Sequence, residues 1–267
     1  MFVITLEAAK INTMKVHVFS MANNEAYMIP YFVRHYRRCF PDCDITVFDN
    51  ESTDDTALIS QELGCKVIPV VSGGYVEEIL LRTKNEGWKD SDADWVIVCD
   101  TDEFLQINQA ELEKLDYAGV TIVRTQGFDM VGNSGNPEKI TDRYPNVWYS
   151  KSVCFKPTAI ENINYLPGAH HCNPTGRVHW SSVTYDLLHY KFLSLDLTLE
   201  RIKMRCDRTS QDNRDKGFAR HYFEFNENKT RKEFAQAWRK AILWRFIKRL
   251  LPGDGYYLGN KLMTKVP

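Results

Sequence analysis

Along the first half of the chain, apolar and polar positions switch repeatedly between two periods. Lys15 to Met21 (KVHVFSM) reads as a strand, and Asn23-Asn24-Glu25 follows as a polar loop. From Ala26 to Cys39, the positions Met28, Phe32, His35 and Tyr36 recur at helical spacing until Pro41 breaks the run. Ile45-Thr46-Val47-Phe48 is a second strand, and Asp49 to Asp55 is a polar turn. Thr56 to Leu63 is a helix, with Gly64 as its C-cap. Lys66 to Val71 is a third strand, Ser72-Gly73-Gly74 a loop, and Val76 to Trp88 a third helix. Trp95-Val96-Ile97-Val98-Cys99 is a continuous apolar run, as in a strand covered on both faces.

This β-α-β order predicts an α/β fold, with a mainly parallel sheet flanked by helices. Such sheets bind ligands outside the carboxyl ends of their strands. Three polar loops follow three of the four strands and should converge on that rim: Asn23 to Glu25, Asp49 to Asp55, and Asp100 to Glu103. The second half is less regular. Gly119 to Thr125 and Val153 to Phe155 read as strands, Gly127 to Pro145 as a long loop, and Leu166 to Arg177 as an irregular segment with histidine and glycine. Asp186 to Phe192 reads as the last strand.

From Ser194 onwards the pattern is helical and charged. Phe234, Ala235, Trp238, Ile242, Phe246 and Leu250 keep helical spacing. Arg231, Lys232, Arg239, Lys240, Arg245, Lys248 and Arg249 fill much of the remainder, and Pro252-Gly253 ends the run. The expectation is a basic amphipathic helix. It would either dock on the core or lie on an anionic membrane surface through residues 230–251.

Composition narrows the class. The formal net charge is −1, so no global field attracts nucleic acid, and nucleic-acid binding is not expected. Seven scattered cysteines without a C-x-x-C pair argue against a zinc site or a disulfide framework and fit a reducing compartment. Met1 to Glu7 is charged too early for a signal peptide, and no apolar run approaches the ~20 residues of a membrane span. The expected location is the cytoplasm, with peripheral contact at a membrane as the alternative if the tail is not docked on the core.

The strongest candidate chemistry is Asp100-Thr101-Asp102. Two carboxylates two apart at a strand end can reach one hard divalent cation, Mg²⁺ or Mn²⁺. A helix cap built from Asp100 and Glu103 is the structural alternative. Taken in order, three segments resemble the GT-A glycosyltransferases, especially the family 2-like group: Asn24-Glu25, Asp49 to Thr56, and Trp95 to Phe104 with its D-x-D triplet. The resemblance covers roughly residues 14 to 205.

It implies a GT-A catalytic domain over 1–205, with a nucleotide-sugar half at about 14–105 and an acceptor half at about 106–205. A helical C-terminal extension over 206–267 would follow. It also implies a divalent metal, a nucleoside-diphosphate sugar as donor, and a glycan or lipid-linked hydroxyl as acceptor, with inversion at the sugar. Asn24, Glu25, Asp49, Arg82, Asn85, Asp100 and Lys191 would hold the nucleotide-sugar, with Asp49 on the nucleobase. Lys84 reads instead as part of a solvated helix face.

Asp100 and Asp102 would hold the metal, joined by His189 at the end of the last strand. A lone histidine among apolar neighbours also suits a hydrogen-bonded core position. The Glu-Asp pair that usually supplies the family's base is absent. Asp129, His170 and His171 are the candidates for that role, and adjacent histidines on a strand would face opposite sides. The glycines of Phe128 to Gly135 would let a sugar approach, and Trp148 or Tyr149 would stack on it.

Two other classes compete. A sugar-phosphate nucleotidyltransferase would need a glycine-rich basic loop after the first strand, where this chain has Ala22-Asn23-Asn24-Glu25. A non-catalytic carbohydrate-binding or membrane-associated protein would not need both Asp100 and Asp102.

Overall fold

The computed structural model describes residues 14–250 and two short paired strands, Tyr257–Leu258 and Leu262–Met263. The readings made for Met1 to Glu7 and for Pro252-Gly253 lie outside the described residues. The predicted alternation is present: β1 (Val16–Ala22), α1 (Ile29–Cys39), β2 (Asp44–Asp49), α2 (Thr56–Glu62), β3 (Lys66–Pro69), α3 (Glu77–Glu86) and β4 (Trp95–Asp100). β1 pairs in parallel with β2 and β4, and β2 with β3. Alternate residues of β4 enter two separate clusters. Trp95, Ile97 and Cys99 pack with Phe32 and Tyr36 of α1, while Val96 and Val98 pack with Phe19, Phe48 and Trp88. The continuous apolar run is therefore a strand buried on both faces.

Next come β5 (Glu103–Leu105) and α4 (Gln109–Tyr117), in a stretch where the apolar pattern predicted no element. α4 has few apolar positions. It is set by an Asn108–Glu111 capping box and buries Leu112 and Leu115. β6 (Ile122–Val131), β7 (Asp142–Pro145) and β8 (Cys154–Phe155) follow. β9 (Ile160–Asn162) and β10 (Thr175–Gly176) form a small separate pair, and β11 (Trp180–Phe192) is the last long strand. The main sheet runs β3-β2-β1-β4-β8-β6-β11-β5, with β7 beside β6. It is the expected mixed, mainly parallel sheet flanked by helices.

One expectation is corrected. Gly127 to Pro145, read as a long loop, holds the second half of β6 and all of β7, paired from Phe128↔Pro145 to Val131↔Asp142. Gly127 misled the reading. It is a strand residue whose missing side chain admits the backbones of Tyr149 and Asn146.

α5 (Leu195–Arg208), α6 (Gln211–Lys216) and α7 (Glu227–Leu250) follow. α7 docks on β6 and β7, burying Phe234, Ala237, Ala241 and Trp244 against Phe128, Tyr144 and Phe192. The predicted single stripe is therefore two faces. Steps of four residues drift by about 40° each on an α-helix. The series that begins buried at Phe234 ends with Ile242, Phe246 and Leu250 exposed.

Candidate active site

A cavity of about 450 Å³ opens at the carboxyl ends of β1 and β4, within the ~300–1,000 Å³ of small-molecule sites. Its floor holds Asp100, Thr101 and Asp102. Lys84 of α3, Lys151 and His189 of β11 close one side, and Arg205 and Arg208 of α5 the other.

Asp100 lies between two ammonium groups, 2.5 Å from Lys84 Nζ and 3.1 Å from Lys151 Nζ. Burial disfavours its charge, but the two lysines outweigh burial and hold its pKa well below the usual carboxylate range. Lys151 is itself buried and also pairs with the buried Glu103 at 2.5 Å.

Asp102 is buried. Its Oδ2 accepts from Arg201 at 2.6 Å, and Arg201 also donates to Glu25 at 2.9 Å. Burial raises the Glu25 pKa despite that arginine. His189 Nε2 stands 3.6 Å from Asp102 Oδ2. For Asp102, burial is again outweighed, here by Arg201 first and His189 second, and its pKa falls below the usual range.

His189 Nδ1 is 2.8 Å from Asp129 Oδ1. Asp129 also accepts from Tyr144 Oη at 2.8 Å and from Asn146 Nδ2 at 2.7 Å. An ionised Asp129 only accepts, so Nδ1 of His189 carries the proton and Nε2 faces the cavity. The Tyr149 ring stacks on His189 with centroids 3.8 Å apart.

The remaining sequence candidates fall into two groups. Glu25, Asp100, Asp102, His170 and His189 line the cavity. Asn24, Asp49, Arg82, Asn85, Asp129, His171 and Lys191 do not. Asn24 has φ 52° and ties the β1 and β2 loops, its Oδ1 accepting from Thr53 N at 2.7 Å. Asp49 is half-buried, with an Oδ1 that has no hydrogen-bond partner among the described residues. Arg82 is exposed. Asn85 is committed to the Tyr165 backbone, accepting from its N–H at 2.7 Å.

Asp129 is buried behind His189 and does not line the cavity. Lys191 lies over the Phe192 ring, 5.1 Å from its centroid. Of the adjacent histidines, His170 faces the cavity and His171 is exposed. Burial, with Lys151 adding to it, pushes His170 down to about 3. Trp148 and Tyr149, the two candidates for stacking on a sugar, both line the cavity, and the Tyr149 ring also covers His189.

Several cavity residues were not singled out from the sequence. On α3, Glu77, Leu80, Leu81 and Lys84 share the face on the cavity, at i, i+3, i+4 and i+7. Lys84, read as a solvated residue, is on that face and Arg82 is not. Arg205 and Arg208, with the buried Arg201 one turn before them, follow helical spacing on α5, a signal readable in the sequence. Arg208 donates to the Asn50 carbonyl at 2.9 Å. Lys151 stands alone between short elements and carries no such signal.

Asp102 and His189 fit a divalent ion. A carboxylate oxygen and an imidazole nitrogen face each other, and the other imidazole nitrogen is tied to a buried carboxylate, the usual support of a metal-bound histidine. Lysines hold both oxygens of Asp100, and Arg201 holds Oδ2 of Asp102 at 2.6 Å, so an ion would have to share or displace that arginine, and Asp100 is the less available of the two carboxylates. Among the described residues, no group of three or more His, Cys, Asp or Glu side chains is gathered for a metal. An ion here would rest on two side chains and keep positions for water and phosphate oxygens.

No family model matches the chain, and no curated protein matches it. Among solved structures, the chain is similar to S. aureus TarS residues 1–349 in complex with UDP-GlcNAc. That match has 13% identity and a TM-score of 0.42, over 75% of this chain and 69% of that one. It is also similar to glucosyl-3-phosphoglycerate synthase from Mycobacterium tuberculosis in complex with Mn²⁺, UDP and glucosyl-3-phosphoglycerate. There the identity is 23% and the TM-score 0.31, over 45% of this chain and 46% of that one, less than half its length. The fold is a mixed, mainly parallel sheet flanked by helices, with Asp100-Thr101-Asp102 at the end of its fourth strand.

Proposed function

We propose that the protein is a glycosyltransferase that takes a sugar from a nucleoside-diphosphate sugar and delivers it to a hydroxyl acceptor. The observation that carries this reading is the Asp129–His189–Asp102 series at the cavity floor. It brings one imidazole nitrogen to 3.6 Å from a carboxylate oxygen that Arg201 also holds, beside a cluster of fixed cations. Mg²⁺ or Mn²⁺ held there would supply positive charge to a departing diphosphate.

The chain's own part is electrostatic preorganisation. Lys84, Lys151, Arg205, Arg208 and Arg220 line the cavity, against the carboxylates of Glu25, Glu77, Asp100 and Asp102. The anionic leaving group would be received by lysines already held in place by Asp100, so little reorganisation is needed when the bond to the sugar breaks. The acceptor would enter past Trp148, which is 58% exposed at the cavity edge.

The test is a panel of UDP-, GDP- and dTDP-sugars with Mn²⁺, read by thermal stabilisation and slow donor hydrolysis. One donor should stabilise the protein, and both Asp102→Asn and His189→Ala should lose its hydrolysis. If no donor binds with Mn²⁺ and Asp102→Asn behaves as the parent, the reading fails.

A further inference from the structure

We propose that the exposed face of α7 rests on an anionic phospholipid surface. This inference is independent of the donor site. One face of the helix is already used, with Phe234, Ala237, Ala241 and Trp244 buried against β6 and β7. A second apolar face remains outside. Ile242 is 48% exposed, Leu243 61%, Phe246 60% and Leu250 76%. These positions recur at i, i+1, i+4 and i+8, so they form one patch along the last turns of α7.

Charge identifies what this patch fits. The whole chain carries 34 Lys and Arg against 35 Asp and Glu, so it has no general attraction to anions. Residues 234–250 contain Arg239, Lys240, Arg245, Lys248 and Arg249 and no acidic residue. Arg239 and Arg249 are exposed and sit at three- and four-residue steps from Ile242, Leu243 and Phe246, on the same side of the helix. Lys240 lies over the Tyr144 ring, 5.1 Å from its centroid, at a groove shared with Leu243 and Trp244.

Arg245 is paired with Asp142 of β7, and the remaining apolar strip, edged by Arg239, Lys240 and Arg249, matches a bilayer interface. Aliphatic and aromatic side chains enter the boundary region, and arginine and lysine meet anionic headgroups. Because the opposite face is docked, the helix would act as a fixed foot rather than fold on the membrane. Among the described residues, no helix is long and apolar enough to cross a bilayer.

The experiment is co-sedimentation of the full chain with phosphatidylcholine vesicles, and with the same vesicles containing phosphatidylserine. Binding should appear with phosphatidylserine and weaken with added salt. Removing one charge should weaken it about fivefold, so Arg239→Gln with Arg249→Gln should weaken it roughly 25-fold. Leu243→Ser with Phe246→Ser should abolish binding while the far-ultraviolet circular dichroism stays that of the parent, since both side chains are exposed. Equal partitioning to the two vesicle types, or none, overturns the proposal. So does a dimer in sedimentation velocity that Phe246→Ser turns into a monomer, which would make the face a contact between two copies.

Discussion

His189 donates from Nδ1 to Asp129 across 2.8 Å and turns its other nitrogen towards Asp102. Asp129, one of three candidates for the base with His170 and His171, is hydrogen-bonded to the imidazole and does not line the cavity. Its second oxygen is taken by Tyr144 and Asn146.

The first prediction follows from this support. Asp129→Asn keeps the size but can present its amide N–H₂ to Nδ1, which would favour the wrong tautomer. Loss of such an outer partner typically weakens metal binding about 10–100-fold. Calorimetric titration of Mn²⁺ into Asp129→Asn should show that loss while the thermal midpoint without metal moves little. Unchanged Mn²⁺ affinity would separate Asp129 from the metal.

The second concerns Lys151, which is 4% exposed and holds both Asp100 and Glu103. Asp100 keeps Lys84 when Lys151 is removed, but Glu103 is left buried with its charge uncompensated. Lys151→Met should therefore cost about 3–5 kcal/mol in urea unfolding. Adding Glu103→Gln should recover much of it, because the buried group is then neutral. A loss below about 1 kcal/mol for the single variant would mean that water already reaches Glu103.

The parts of the site that could be read in the sequence are those where one residue type sits at a strand end. β4 is legible because every residue from Trp95 to Cys99 is apolar, and the triplet after it inherits its position. His189 is legible because it closes the apolar run of β11. The cationic half was less accessible. Lys84 and Arg82 are two apart on α3, so only one can face the cavity, and sequence order does not say which. Arg201, Arg205 and Arg208 do show helical spacing, but the charge-rich region around them masks it. Lys151 is placed by tertiary packing of the Val147–Tyr149 turn and β8, which no local pattern encodes.

The third prediction concerns acid. His35 is buried on α1, with Nε2 2.9 Å from the Leu105 carbonyl and its ring stacked on Phe104. Burial pushes its pKa from 6.5 down to about 4. The folded value is depressed, so the unfolded chain takes up the proton first. The neutral-histidine contribution is intact above pH 6.5 and is lost as pH falls towards 4. The loss amounts to about 3 kcal/mol at 1.36 kcal/mol per unit. His35→Gln has no titrating group and can still donate to Leu105. Its stability, measured by urea unfolding across that window, should fall by correspondingly less than the parent's. Parallel pH profiles would show that His35 does not titrate in this range.

The fourth prediction tests how the His189 side of the cavity is held. A Cβ on Gly127 would collide with the Tyr149 backbone and come within 2.7 Å of the Asn146 carbonyl. Backbone cannot give way as a flexible side chain does, so Gly127→Ala must displace the Val147–Tyr149 turn. That turn carries the Tyr149 ring over His189, and Asn146 just before it donates to Asp129. One methyl group should therefore disturb both supports of the imidazole at once. The stability loss expected for forced overpacking is about 1–3 kcal/mol. The His189 ring resonances should also move away from the upfield position that stacking under Tyr149 imposes. Gly135→Ala is the control, because its Cβ would meet only Leu197 Cδ1 at 3.4 Å. It should leave both stability and the His189 resonances as they are. If Gly127→Ala lowers stability but leaves those resonances in place, the turn and the imidazole are not mechanically linked.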